Sequence, residues 1–245
     1  MLLRRRTRPV LLLVMTAAIA LVSPASGLEL IPAQPLAAGV DGLPRVAGNG
    51  ETVDRINSAL KALDDRNLGS AMCGGETVSD DASVSVSVLS DGPEYLSLLI
   101  SAGGYCEGAA HPWWIEDVVN FDLRSGEQSD LMDLLPQGWR SNADVMDPLR
   151  VLYLGAASEY FLQPGKDQLQ DCVGPYAKAV REGWLTIELA IDKTQHGLFM
   201  VPVGLAYVDS YCANSVVVPV EYFEGAGFDP RFFDAFGRDS ETVSP

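Results

Sequence analysis

Read by its hydrophobic and polar positions, the chain changes period several times. Val53, Ile56, Leu60 and Leu63 recur at three- and four-residue spacing behind Gly50-Glu51-Thr52. This predicts an amphipathic helix with acids near its start, ending before Asn67-Leu68-Gly69. After Cys73 the period drops to two: Val84, Val86 and Val88 alternate with serines, as a half-buried strand requires. Asp91-Gly92-Pro93 breaks that strand, and Tyr95 to Ile100 reads as its hairpin partner. Ile115 to Leu123 is a third strand, closed by Arg124-Ser125-Gly126-Glu127, where glycine suits a turn that needs positive φ. Asp130 to Leu135 predicts a short helix packing Leu131, Leu134 and Leu135.

Asp147-Pro148 pairs a capping residue with proline at the first helical position. Leu149, Leu152, Tyr153, Ala156 and Ala157 carry that helix to about Phe161, where Gln163-Pro164-Gly165 stops it. A weaker helical stretch, carrying Cys172, runs from Lys166 to Tyr176. Strands follow at Trp184 to Ile191, Gly197 to Val203, Leu205 to Val208 and Ser215 to Val220. Asp229-Pro230 repeats the cap and opens a short helix of Phe232, Phe233 and Phe236. Leu28 to Ile31 can add an edge strand. Helix, strands, helices and strands again is the order of an α+β fold, an antiparallel sheet packed against a few helices, and not a βαβ alternation.

The N-terminus adds a location. Arg4, Arg5, Arg6 and Arg8 precede Val10 to Val22, apolar except for Thr16, and Ala25-Ser26-Gly27 offers small residues for cleavage. Residues 1–27 therefore read as a secretory signal peptide, with retention as an anchor the alternative. No cysteine marks a lipoprotein site, and no second run approaches spanning length, so stable membrane insertion is not expected after cleavage. The expected location is periplasmic or secreted.

Charge then narrows the partners. The 245 residues carry 17 basic and 33 acidic side chains, a net charge of −16. The leader holds four arginines and no acid, so its removal leaves about −20. Such a chain disfavours nucleic acid, whose binding rests on basic contacts to phosphate, and steers a cationic partner towards itself.

All four cysteines, Cys73, Cys106, Cys172 and Cys212, follow the leader. An even number in an oxidising compartment argues for two disulfides, with three pairings possible. Cys73 with Cys106 and Cys172 with Cys212 is the preferred set, because each bridge then staples its own half. No C-x-x-C occurs and the two histidines form no obvious ligand set with the cysteines, so neither a metal nor a cofactor is expected.

Catalytic signatures are absent: no G-x-S-x-G, no phosphate-binding loop, no H-E-x-x-H and no dinucleotide fingerprint. His196 falls in a predicted turn. The densest segment is Gly103 to Trp114, where glycines permit close backbone approach and His111-Pro112-Trp113-Trp114 predicts an extended aromatic loop. His111 is the candidate acid or base there, with Glu107, Glu116 or Asp117 as its carboxylate. No nucleophile completes the set, and a structural histidine holding the loop is the competing reading. Tyr105, Trp113 and Trp114 are the candidate binding anchors.

The same segment carries a resemblance. Gly108-Ala109-Ala110-His111-Pro112, then Phe121-Asp122-Leu123-Arg124-Ser125-Gly126 and Asp133-Leu134-Leu135, resembles the G-A-H, F-D-L-x-T-G and D-L-L/F pattern of a bacterial extracytoplasmic domain of unknown function. That domain occurs in RsiV-like anti-sigma ectodomains and beside the catalytic domain of PdaC-type peptidoglycan deacetylases. The similarity extends through Leu185 to Val208 and to the closing strand Val216 to Tyr222. It divides the chain into a strand-and-helix piece at 28–70, the RsiV-like α+β domain at 71–238 and a flexible tail at 239–245.

The resemblance implies a binding or accessory module, since RsiV-like ectodomains bind lysozyme and the deacetylase-associated domain supplies no active site. No sigma-binding segment precedes the apolar run and no deacetylase domain follows, so neither activity is expected. The expectation is a non-enzymatic exported domain that binds a cationic protein such as a lysozyme, or a cell-wall component. The alternative is a cell-wall hydrolase or deacetylase-related enzyme using His111.

Overall fold

The computed structural model describes residues 28–75, 77–139, 148–161, 172–205, 209 and 212–237. The leader, the cap Asp147, the stop at 163–165, residues 166–171 of the weaker helix, residues 206–208 of one expected strand and the tail lie outside them. Among the described residues no helix is long and apolar enough to cross a membrane.

A short ribbon of β1 (Leu30–Ile31) and β2 (Arg45–Val46) leads into α1 (Glu51–Ala71). The expected end of α1 before Asn67-Leu68-Gly69 is corrected: the helix continues through these residues to Ala71. Asn67 and Ala71 extend the buried stripe of Leu60 and Leu63, and packing of that stripe outweighs the weak helix propensity of Asn and Gly. Asp64, also on this face, pairs with Arg45 and accepts from the Leu43 N–H at 2.8 Å, which ties the N-terminal segment to the helix.

α1 covers one face of a sheet ordered β3 (Ser83–Asp91), β4 (Tyr95–Gly104), β5 (Trp113–Asp122), antiparallel throughout. β3 and β4 outrun their predicted spans, while β5 starts two residues before the predicted Ile115 and stops at Asp122 rather than Leu123. Leu96, Leu98, Ile100 and Ala102 of β4 face α1 with Val119 and Phe121. The register of β3 shifts between Val88 and Ser90, so Ser90 lies opposite Ser97.

The second sheet is β6 (Thr186–Asp192), β7 (Gly197–Val203), β8 (Val216–Pro219). Leu189, Ile191, Leu198, Met200 and Val218 pack against three helices, α2 (Pro148–Phe161), α3 (Val173–Arg181) and α4 (Pro230–Asp234). Of the helix expected over Lys166–Tyr176, the described part is α3, which runs past Tyr176 to Arg181. Its buried stripe is Tyr176, Ala179 and Val180, and Gly183 follows its end at φ 74°. Asp229 caps α4, accepting from the Arg231 N–H at 2.9 Å, as Asp-Pro predicts. The closing strand stops at Pro219, and Val220–Phe223 turns into a 3-10 helix.

The fold is α+β with antiparallel sheets, as the element order predicts, but among the described residues the strands divide into two three-stranded sheets and the ribbon. The two sheets meet face to face through Val118, Ala190, Phe199 and Val201. β6 crosses the first sheet: Leu189 O accepts from Asn120 Nδ2 at 2.7 Å on β5, Ile191 N reaches Ser97 Oγ at 3.4 Å on β4, and Lys193 N donates to Leu89 O at 2.9 Å on β3. Asn120 Oδ1 accepts from Ser97 Oγ at 2.7 Å. These two buried polar side chains supply partners to two backbone groups of β6, Leu189 O and Ile191 N. Asn120→Ala leaves a buried carbonyl unpaired and is expected to lower stability by about 2 kcal/mol in urea unfolding.

Candidate functional site

The end of the first sheet holds the aromatic candidates. Trp113 and Trp114 were expected in an extended loop; they are instead the first residues of β5, opposite Gly104 and Gly103. The alternation of a strand sends them to opposite faces. Trp113 turns inward and packs beside the core under α1. Trp114 turns outward and is 55% exposed, its ring lying over Gly103, where a Cβ would collide with it. The glycine is a bed for the indole.

Tyr105 follows β4 and is 39% exposed. Its hydroxyl donates to Ala109 O at 2.7 Å, and Ser79 Oγ donates to its carbonyl at 2.8 Å. The Cys73–Cys106 disulfide joins the end of α1 to this same corner. Asp81, Ser83, Tyr105, Pro112, Trp113 and Trp114 line a shallow depression of about 380 Å³.

Of the candidate acid–base group, Glu116 and Asp117 have partners other than His111. His111 is exposed, with Nδ1 3.0 Å from Pro112 O. Asp117 faces α1 and pairs with Arg66 at 2.6 Å, while Glu116, on the opposite face, accepts from Ser215 Oγ at 2.5 Å. Both carboxylates serve contacts away from His111. Glu107 is exposed in the 105–112 connection. Among the described residues no three His, Cys, Asp or Glu side chains are grouped to hold a metal ion.

Electrostatics single out the same corner, through a signal the sequence reading passed over. Between Arg66 and Arg124 the chain has nine acids and no Lys or Arg. Tertiary partners neutralise several: Asp91 pairs with Lys193, Glu94 with Arg124 and Arg231, Asp117 with Arg66, and Asp122 with Arg231. Asp80, Asp81 and Glu107 have no ion-pair partner among the described residues. Of these, Asp81 lines the same depression as Tyr105 and Trp114, with Asp80 next to it in sequence and Glu107 in the 105–112 connection.

Two other concavities lack this combination. A groove of about 880 Å³ between α2 and β8, bounded by Val151, Leu152, Phe199, Val217 and Tyr222, has no charged residue among the described residues of its lining and holds none of the candidate residues. A cleft of about 530 Å³ contains Asp117, Asp130 and Glu188. Burial first, then the Asp117 charge, raises the Glu188 carboxyl above its ordinary range, opposed by the Val118 N–H and Arg66.

No family model and no curated protein matches the sequence. Among solved structures the chain is similar to a DUF3298 family protein from Pseudomonas aeruginosa PAO1, at 17% identity over 59% of this chain, with a TM-score of 0.41. It spans 60% of that protein's length. It is also similar to a member of the DUF3298 family from Bacteroides fragilis NCTC 9343, at 14% identity over 76% of this chain and 69% of the other, with a TM-score of 0.42.

Proposed function

We propose that the protein is an exported, non-enzymatic binding module whose first-sheet corner captures a cationic protein such as a lysozyme. The observation that carries this reading is the exposed Trp114 ring sharing a depression with Tyr105 and with Asp81, whose carboxylate has no ion-pair partner among the described residues. An indole face and a carboxylate together suit the guanidinium or ammonium of a partner: the ring attracts the cation and the acid pairs with it. Trp113, packed inward, supports the corner and leaves the anchoring to Trp114 and Tyr105. The basic n-region and apolar run of the leader support export, as do two disulfides.

Titration of the protein with a lysozyme in low salt tests the reading. Trp114→Ala is expected to weaken binding at least about tenfold, while stability stays within about 1 kcal/mol because the ring is largely exposed. Raising salt to about 0.5 M, where the Debye length shrinks to about 4 Å, is expected to weaken wild-type binding as well. Absence of binding at low salt, or equal binding by Trp114→Ala, defeats the proposal.

A further inference from the structure

The two disulfides occupy opposite environments. Cys172 and Cys212 are 0% exposed, inside the core between the second sheet and its helices. Cys73 and Cys106 are both partly exposed, and no residue from 104 to 117 is buried. Gly74 and Gly108, next to the bridge, sit at φ 77° and 82° with open space where a side chain would stand. The sequence separations of 33 and 40 are similar, so chain entropy constrains both loops about equally. Access is what distinguishes them.

We infer that Cys73–Cys106 is a thiol–disulfide exchange site for an external dithiol, such as the Cys-x-x-Cys pair of an oxidoreductase, and that its redox state sets the geometry of the corner. A thiolate of the dithiol attacks one sulfur, the Cys73–Cys106 bond breaks, and the released cysteine takes a proton. The second thiol then resolves the mixed disulfide, leaving the reductant as a disulfide and Cys73 and Cys106 as thiols. Two electrons and two protons pass to the protein. Attack requires approach to a sulfur, which the core denies at Cys172–Cys212 and the surface permits at Cys73–Cys106.

Once the bridge opens, the 105–112 connection is no longer covalently tied to the end of α1. Tyr105 and the entry to Trp113–Trp114 loosen. Control of ligand capture through this step rests on the binding reading above; the exchange site itself does not.

The test uses the full chain in native buffer with rising dithiothreitol, alkylation of free thiols and peptide mass analysis, followed by amide exchange. Cys73 and Cys106 are expected to be alkylated at a reductant concentration on the order of tenfold below that needed for Cys172 and Cys212. Exchange at residues 103–116 is expected to rise while residues 186–201 stay protected. Both pairs opening together, Cys172–Cys212 opening first, or unchanged exchange at 103–116 after selective opening overturns the inference. If the oxidised protein binds no lysozyme, the binding reading falls, and the exchange site is decided by the alkylation pattern alone.

Discussion

Replacing Cys172 and Cys212 together by alanine is expected to lower the unfolding free energy by about 4 kcal/mol, the value chain entropy assigns to a loop of this size. Their sequence separation of 40 is closed inside the core, where both residues are fully buried. The bridge also positions a hydrogen-bonded array. Tyr176 OH donates to the Cys212 carbonyl, Tyr153 OH and Tyr176 OH lie 2.7 Å apart, and Tyr153 OH donates to Asn214 O at 2.8 Å. Burial, first of all, raises both phenols above their ordinary range and keeps them neutral. Loss of the staple frees the segment around Cys212 that these hydroxyls hold against α2 and α3. For a chain of this size the expected fall in melting temperature is on the order of 8–16 °C. Thermal unfolding of the double variant checks it, and a shift below about 3 °C contradicts a structural role for the bridge.

Arg231→Ala is expected to cost about 3 kcal/mol, because it strands carboxylates that are mostly withdrawn from water. The guanidinium of Arg231 joins α4 to the first sheet: Nε meets Glu94 Oε2 at 3.1 Å, a terminal nitrogen meets Asp122 Oδ2 at 2.7 Å, and the group lies 5.2 Å from the centre of the Tyr95 ring. Glu94 keeps Arg124 as a second partner at 2.8 Å, whereas Asp122 loses its side-chain partner. Burial alone would raise the Asp122 carboxyl. The hydrogen bonds from Arg231 and from the Arg124 and Ser125 backbone, with the Arg231 charge, hold it below its ordinary value.

A carboxyl lowered in the folded state contributes stability above the unfolded value of about 3.9, and that contribution is lost as pH falls through the lowered folded value. Wild type should therefore lose stability steeply below about pH 4, and Arg231→Ala should show a shallower acid limb. Tyr95 acts at the other end of the scale. Burial, with the nearby carboxylates and against Arg231, pushes its phenol up to about 12, so its contribution is present below about pH 10 and declines as pH rises towards the folded value. Urea midpoints measured from pH 3 to pH 11 for both proteins decide this. Parallel acid limbs would show that Arg231 does not hold Asp122.

Elements whose signals lie within a few residues were legible from the pattern. The alternating valines of β3, the break at Asp91-Gly92-Pro93, the hairpin partner from Tyr95, and Asp229-Pro230 before α4 each combine periodicity with a cap or turn. Errors arose where a distant surface overrode local preference. Asn67-Leu68-Gly69 has the composition of a helix end, yet α1 passes through it because Asn67 and Ala71 pack towards the sheet. Ser97 and Asn120 are polar positions in strands, and only the crossing of β6 shows that both are buried and bonded between sheets.

The candidate site divides along the same physical line. That Tyr105, Trp113 and Trp114 share one segment, that Cys106 lies within it, and that acids outnumber bases around it are properties of the chain itself. Which tryptophan reaches solvent depends on the register that sets Trp114 over Gly103 and turns Trp113 inward. Which carboxylates keep their charge uncompensated depends on cations 51, 102 and 109 residues away, Arg66 for Asp117, Lys193 for Asp91 and Arg231 for Asp122. Periodicity, caps and turns act over a few bonds and are written locally, whereas charge pairing and exposure act through space, so only the folded chain sets Asp81 in one depression with the exposed indole.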